Sequence, residues 1–411
     1  MSLTPDRLAA LTQFAQAHLG PLDNPPVAAS ADASFRSYWR AHQGQRSWVV
    51  MNAPPDKEDV RPFIDIAARL RRAGLNAPEV LAQDLEQGFL LLSDLGVRTY
   101  LPELDEARVE SLYGDAMAAL LTMQTQVDYA GLPHYDSARL GAEMDLFETW
   151  FLRRHLGHEP DGRETELIQA STRTLLRSAL EQPTRFVHRD YHSRNLMIVP
   201  GANPGIIDFQ DAVVGPVTYD LVSLLKDCYI QWPRAQVQDW AEDYRQRLIA
   251  TGVVEVRTTR WRRWFDWMGL QRHLKVLGIF ARLNYRDGKA GYLKDLPLVL
   301  DYTLRSASAT ANWRPSASGW KSARAGWISR WRGSSGARGT GHGARGTGHG
   351  ARGTGHGARG TGHGARGTGK RLLASGSCGS RLVWRLSPWA GLHHFFRTIW
   401  IDCRADRERR G

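Results

Sequence analysis

Val187-His188-Arg189-Asp190-Tyr191-His192-Ser193-Arg194-Asn195-Leu196-Met197-Ile198-Val199, followed by Gly205-Ile206-Ile207-Asp208-Phe209-Gln210-Asp211, is the stretch that decides the fold. It reads as a short strand at 185–187, a loop, and a hairpin. Pairing 196–199 antiparallel with 204–207 across Pro200-Gly201-Ala202-Asn203 makes residue numbers across the hairpin sum to 403. Asn195 then lies opposite Asp208 at the open end. An amide oxygen and a carboxylate converging there suit Mg²⁺, a hard cation that takes oxygen ligands and retains phosphates and water. Asp190, at the loop mouth, is placed to accept a hydroxyl proton.

His-Arg-Asp with an Asn five residues after the Asp matches the catalytic loop of phosphoryl-transferring kinases. Each element alone is weak. Together, with the strand before the loop and the hairpin after it, they point to attack of a hydroxyl on the γ-phosphate of ATP. His188 reads as a structural tether of the loop. Asp220, in Gly215-Pro216-Val217-Thr218-Tyr219-Asp220-Leu221, reads as a structural cap or brace of the helix that follows. Three features separate the chain from protein kinases. The hairpin that should carry a Gly-X-Gly-X-X-Gly loop has Asp32-Ala33-Ser34-Phe35-Arg36, Asp208-Phe209-Gln210 replaces Asp-Phe-Gly, and no segment ending in Ala-Pro-Glu follows. The expected acceptor is therefore a small molecule lodged among helices.

Upstream, Thr4-Pro5-Asp6 opens a helix that Leu8, Leu11, Ala15 and Leu19 continue until Gly20-Pro21. Residues 34–42 and 46–52 flank Gln43-Gly44-Gln45 as a hairpin. A helix over about 58–73 and short strands at 80–84 and 88–92 complete a small sheet with one packed helix. Residues 1–95 thus form an expected nucleotide-binding lobe, and 96–305 a helical catalytic and substrate lobe. The helical pattern runs over about 106–180, then at 219–228, 237–250, 261–283 and 296–304. Trp261, Trp264 and Trp267, three apart, read as one buried helix face. The fold class expected is α+β: bilobal and protein-kinase-like, with a small antiparallel sheet lobe, a larger helical lobe and a disordered C-terminal tail.

The chain has 411 residues and a net charge of +12, which taken whole suggests nucleic acid or an anionic membrane as partner. The charge is concentrated at one end. Residues 306–411 hold 19 Lys+Arg against 3 Asp+Glu, whereas 1–305 hold 35 against 39, a balance of −4. Four copies of Gly-Ala-Arg-Gly-Thr-Gly-His run from 336 to 363, a composition with no apolar face and an expectation of disorder. Three readings of this tail stay open: an Arg/Gly-rich nucleic-acid arm, an inert linker to the apolar patch 389–401, or a reading frame slipped near codon 305. A shifted GC-rich frame fills with Arg, Gly, Ala, Ser and Trp, as this segment does. For the body, neither nucleic acid nor a membrane is an expected partner, because the charge lies elsewhere and no apolar run approaches ~20 residues. The opening residues lack a signal-peptide core, and Cys228, Cys378 and Cys403 are too scattered for disulfides or zinc. A cytoplasmic protein is expected; the oligomeric state stays open.

The run from His188 to Leu196, with Ile207-Asp208-Phe209-Gln210-Asp211-Ala212, resembles the aminoglycoside phosphotransferase-like family of small-molecule kinases. Three stretches, Met51-Asn52-Ala53-Pro54-Pro55-Asp56-Lys57-Glu58-Asp59, Phe89-Leu90-Leu91-Leu92-Ser93-Asp94-Leu95-Gly96 and residues 269–283, are similar to one branch of it. That branch phosphorylates the anomeric hydroxyl of N-acetylmuramate and N-acetylglucosamine in peptidoglycan recycling. The resemblance covers about residues 5–305. It implies ATP in the cleft, Asp190 as catalytic base, Asn195 and Asp208 as Mg²⁺ ligands, and Leu91, Ser93 and Asp94 in a hinge that meets adenine through backbone groups. The acceptor implied is an amino sugar and the product a sugar 1-phosphate. Many relatives hold the phosphates with a Lys on the third strand, but Trp48-Val49-Val50-Met51-Asn52 has none. Arg36 or Lys57 is the expected substitute. Arg194 and Asp211 are candidate sugar contacts, with surface ion pairing as the alternative. Two other functions stay in view: an aminoglycoside or other small-alcohol kinase, and a pseudokinase or nucleic-acid binder. The intact Asp190, Asn195 and Asp208 argue against a pseudokinase.

Overall fold

In the computed structural model, residues 3–31 and 35–310 are described. The expectations of disorder, nucleic-acid binding or a slipped frame in the tail fall outside them. Helix α1 (Pro5–Leu19) starts where Thr4 Oγ1 accepts the Arg7 N–H at 3.3 Å and stops at Gly20, whose φ of 80° turns the chain away. Strands β1 (Val27–Ala31), β2 (Ser37–Gln43) and β3 (Arg46–Asn52) follow, then α2 (Arg61–Arg72), β4 (Val80–Asp84) and β5 (Phe89–Ser93). They form one antiparallel sheet of order β1-β2-β3-β5-β4. Alternation along the strands sends successive side chains to opposite faces, and both faces are covered. Leu11 and Phe14 of α1 pack on Trp39, Trp48, Val50, Phe89 and Leu91. Phe63, Ile66 and Leu70 of α2 pack on Met51, Leu90 and Leu92. Burial on both faces is why Phe89–Leu92 is apolar throughout. Strand β1 leaves no signal in the sequence, since Val27-Ala28-Ala29-Ser30-Ala31 carries little strand propensity and gains its place by pairing with β2.

The second half is helical: α3 (Val109–Gln126), α4 (Ser137–Leu146), a π-helical continuation Phe147–His155, and α5 (Gly162–Leu180). Strand β6 (Thr184–Val187), the hairpin β7 (Leu196–Met197) and β8 (Gly205–Ile206), and β9 (Val213–Pro216) come next. Helices α6 (Tyr219–Leu225), α7 (Arg234–Ala250), α8 (Thr258–Tyr285) and α9 (Leu296–Thr310) complete the described chain. This is the kinase-like α+β architecture expected. One local expectation of pairing needs correction. The hairpin pairs Leu196 with Ile206 and Met197 with Gly205, one residue off the expected register, because each strand is only two residues long. Its position is set instead by bridges from Asn76 to Gly205 and from Thr99 to Met197. Strand β9, which Gly215-Pro216 masks in the sequence by breaking strand propensity, pairs with β6 from Thr184↔Pro216 to Val187↔Val213. Trp261 and Trp264 are buried as expected, whereas Trp267 is half-buried, with the Arg263 guanidinium over its ring.

Candidate active site

Strand β6 delivers the chain into the 188–195 loop, and buried groups pin that loop from behind. His188 is fully buried; its Nε2 lies 3.1 Å from the Ile207 carbonyl and its Nδ1 accepts the Asp190 N–H at 3.3 Å. Burial pushes its imidazole down to about 4, so it is a neutral tether. Asp220, also fully buried, accepts the backbone N–H of His188 at 2.6 Å and of Arg189 at 3.0 Å. It braces the loop before it, and α6 starts without a side-chain cap. Ser193 donates its backbone N–H to Asp227 at 3.0 Å, fixing the far side of the loop.

Asn195 links the Asp190 backbone to the Asp208 carboxylate. Its Nδ2 donates to the Asp190 carbonyl at 3.0 Å and to Asp208 Oδ2 at 3.1 Å. The one-residue register difference sets the backbone of Asn195 against Ile207, whose N–H it accepts at 3.1 Å. The side chain still reaches Asp208, because Asp208 takes a φ of 66° at the hairpin exit. Among the described residues, Arg189 (φ 78°) and Asp208 are the non-glycine residues in the left-handed region. Arg189 adjoins Asp190 and Asp208 is joined to it through Asn195, and strained backbone of this kind concentrates at functional sites. Asp208 Oδ1 accepts Gln210 Nε2 at 2.9 Å and faces Arg36 NH2 at 3.7 Å. Burial pushes the Asp190 carboxyl up, but Lys275, His192, Arg272 and Arg189 outweigh it and hold the group below the usual carboxylate range.

The nucleotide-side expectations separate. Arg36 is brought to Asp208, with its side chain 9% exposed. Lys57 is exposed and pairs with its neighbour Asp56 at 3.2 Å. Leu91 is buried in the middle of β5, paired to Val50 on one side and Ala82 on the other. Ser93 Oγ accepts the Glu79 N–H at 2.8 Å. The Asp94 carboxylate is taken by Arg40 at 2.6 and 3.1 Å. Burial pushes that carboxyl up, yet the hydrogen bonds from Arg40, Gly96 and Ser47 hold it below its usual range.

On the acceptor side, the Arg194 guanidinium lies 3.5 Å above the Tyr229 ring and 3.7 Å from Asp295. Asp211 is exposed, and its carbonyl accepts Arg189 NH1 at 3.4 Å. Sequence reasoning missed the buried charges behind the loop. Helix α8 brings Arg272 and Lys275, one turn apart, toward Asp190. Lys275 Nζ and Arg189 NH2 meet Glu143 Oε1 at 2.9 and 2.8 Å. Arg272 is 3% exposed, and its Nε and NH1 have no hydrogen-bond partner among the described residues. A signal was present in Gln271-Arg272-His273-Leu274-Lys275, a polar run inside an apolar helix, though the sequence does not say which way it faces.

Asn195 and Asp208 offer one amide and one carboxylate, and no cluster of three His, Cys, Asp or Glu exists among the described residues. That donor set fits a cation held mainly by phosphates, as Mg²⁺ is in kinases, and would not fit a metal caged by protein alone.

The sequence matches the Phosphotransferase enzyme family (APH) over residues 27–265, more than half of the chain. The chain belongs to that family and is a small-molecule kinase. Among its relatives is the N-acetylmuramate/N-acetylglucosamine kinase of Pseudomonas aeruginosa PAO1, 49% identical over 278 residues, covering 67% of this chain and 82% of that protein. The protein of the same name from Neisseria meningitidis serogroup B is 42% identical over 293 residues, covering 70% and 87%. The solved structure of the gentamicin–APH(2″)-IIa complex shares the fold, with a TM-score of 0.52 at 13% identity over 73% of this chain and 97% of that one.

Proposed function

We propose that this chain transfers the γ-phosphate of ATP to the anomeric hydroxyl of N-acetylmuramate and N-acetylglucosamine, yielding sugar 1-phosphates in peptidoglycan recycling in the cytoplasm. The observation that carries the reading is the convergence of Asp190, Asn195 and Asp208, with Asn195 Nδ2 donating to the Asp190 carbonyl at 3.0 Å and to Asp208 Oδ2 at 3.1 Å. The names of the relatives, N-acetylmuramate/N-acetylglucosamine kinases at 49% and 42% identity, point to the acceptor.

In this reading Asp190 accepts the proton of the anomeric hydroxyl as its oxygen attacks the γ-phosphorus, and ADP leaves. Asn195 and Asp208 would hold Mg²⁺, which would supply positive charge to the phosphates. Arg36, beside Asp208, takes the phosphate-clamping role in place of the missing strand Lys. Lys57, paired with Asp56, is the weaker candidate. The residues after Leu91 meet adenine through backbone groups, since the Ser93 and Asp94 side chains are engaged within the protein. Arg194 contacts the sugar, with Asp211 at the rim.

A coupled ATPase assay with N-acetylmuramate, N-acetylglucosamine and a kanamycin-type aminoglycoside tests this. Turnover with the sugars alone is expected. A folded, Mg²⁺-supplemented enzyme that turns over neither sugar refutes the proposal.

A further inference from the structure

Lys275 lies mid-way along α8 and is 6% exposed. Its ammonium has three donors, and each has an acceptor: Glu143 Oε1 at 2.9 Å, the Tyr219 hydroxyl at 3.0 Å and the Tyr135 hydroxyl at 3.5 Å. A group so fully engaged has nothing left to offer a substrate oxygen. Its importance lies in what it shares. Glu143 Oε1 also accepts Arg189 NH2 at 2.8 Å, and Arg189 immediately precedes Asp190 with its backbone in the left-handed region. A long side chain keeps that conformation only when its surroundings impose it. Asp220 holds the Arg189 backbone; Glu143 holds its side chain.

We infer that Lys275 is a positioning residue for the phosphoryl transfer: by sharing Glu143 Oε1 with Arg189 it fixes that carboxylate and, through Arg189, sets the direction in which Asp190 faces the acceptor. The residues involved come from four places in the chain. Glu143 is on α4, Tyr135 just before it, Tyr219 on α6 and Arg189 in the loop. Two cations on one buried carboxylate leave a positive charge in excess, and its attraction helps hold the Asp190 carboxyl below its usual range. A buried cation without such a counter-charge is costly, so the cluster and the base support each other. The inference rests on the reading of Asp190 as the base.

The test is a double-mutant cycle on the full chain: Lys275→Met, Glu143→Gln and the double variant, with saturating ATP and whichever sugar the wild type turns over. Thermal melting checks folding in each case. Each single variant is expected to lower kcat about tenfold or more while KM for ATP changes little, and the double variant to fall no more than about threefold below the worse single. Lys275→Arg is expected to recover most of the loss, because it keeps the cation. Losses that multiply in the double variant, wild-type kcat in Lys275→Met, or no rescue by Arg each overturn the inference. If Lys275→Met does not fold, Lys275→Gln replaces it in the same cycle under the same outcomes. Failure of the underlying reading shows separately, as wild-type turnover in Asp190→Asn.

Discussion

Asp220 Oδ2 accepts the backbone N–H of His188 at 2.6 Å, so the first turn of α6 holds the loop that carries Asp190. Asp220→Asn removes one of the two acceptors that the carboxylate supplies and points an N–H at a backbone donor. Leaving a buried donor unpaired costs about 1–3 kcal/mol. Urea unfolding should report a loss of that size, and steady-state assays a lower kcat. An unchanged unfolding midpoint would contradict the bracing role.

The loop and hairpin were legible in the sequence because their spacing is local: His188, Asp190, Asn195 and Asp208 fall within one short run. The supports behind them were not. Glu143, Arg189 and Lys275 meet only after α4, the loop and α8 have packed, and no periodicity announces a contact over that distance. Register is a subtler case. Two-residue strands carry too little pattern to fix pairing, so the sequence places the hairpin one residue out of register while the Asn195–Asp208 contact is the same in both. The family resemblance implies a hinge role for Asp94, and Arg40 is recognisable as its partner only once β2 is in position.

Asp190→Asn should leave the fold and nucleotide affinity intact while kcat falls by about 10²–10⁴, the range that general-base catalysis supplies. Steady-state kinetics with a nucleotide-binding titration separates the two effects. Wild-type kcat in this variant would remove Asp190 from the mechanism.

The fold should lose stability in mild acid. His188 and His273 are fully buried, and burial pushes their imidazoles down to about 4 and about 3. In the unfolded chain each takes up a proton near pH 6.5, so from there down to about pH 4 the unfolded state binds more protons. Asp220, pushed up to about 7 by burial, acts in the opposite direction over the same window and offsets one of the two. His273→Gln should therefore destabilise the protein more at pH 6.5 than at pH 5, by about 2 kcal/mol at about 1.4 kcal/mol per pH unit. Equal losses in urea unfolding at both values would sink the argument.

Gly278 is where α8 passes against the end of α4. A Cβ there would fall on the Leu146 carbonyl and lie 2.7 Å from the Leu146 Cβ. Backbone cannot give way as a flexible side chain does. Gly278→Ala should cost about 1–3 kcal/mol through overpacking and, by moving α8 relative to Glu143, should lower kcat as well. Thermal melting and kinetics on one preparation check both; wild-type values in each would show that the helices have room to part.

The family match ends at residue 265, before Arg272 and Lys275, and the Asn195–Asp208 hairpin lies wholly inside it. The ion-pair network around Arg189 nevertheless crosses that end, running from Lys275 on α8 to Glu143 on α4. A stretch of chain outside the shared family core is thus mechanically joined to the loop within it. Drift in α8 is felt at Asp190, so the two cannot be exchanged between relatives independently.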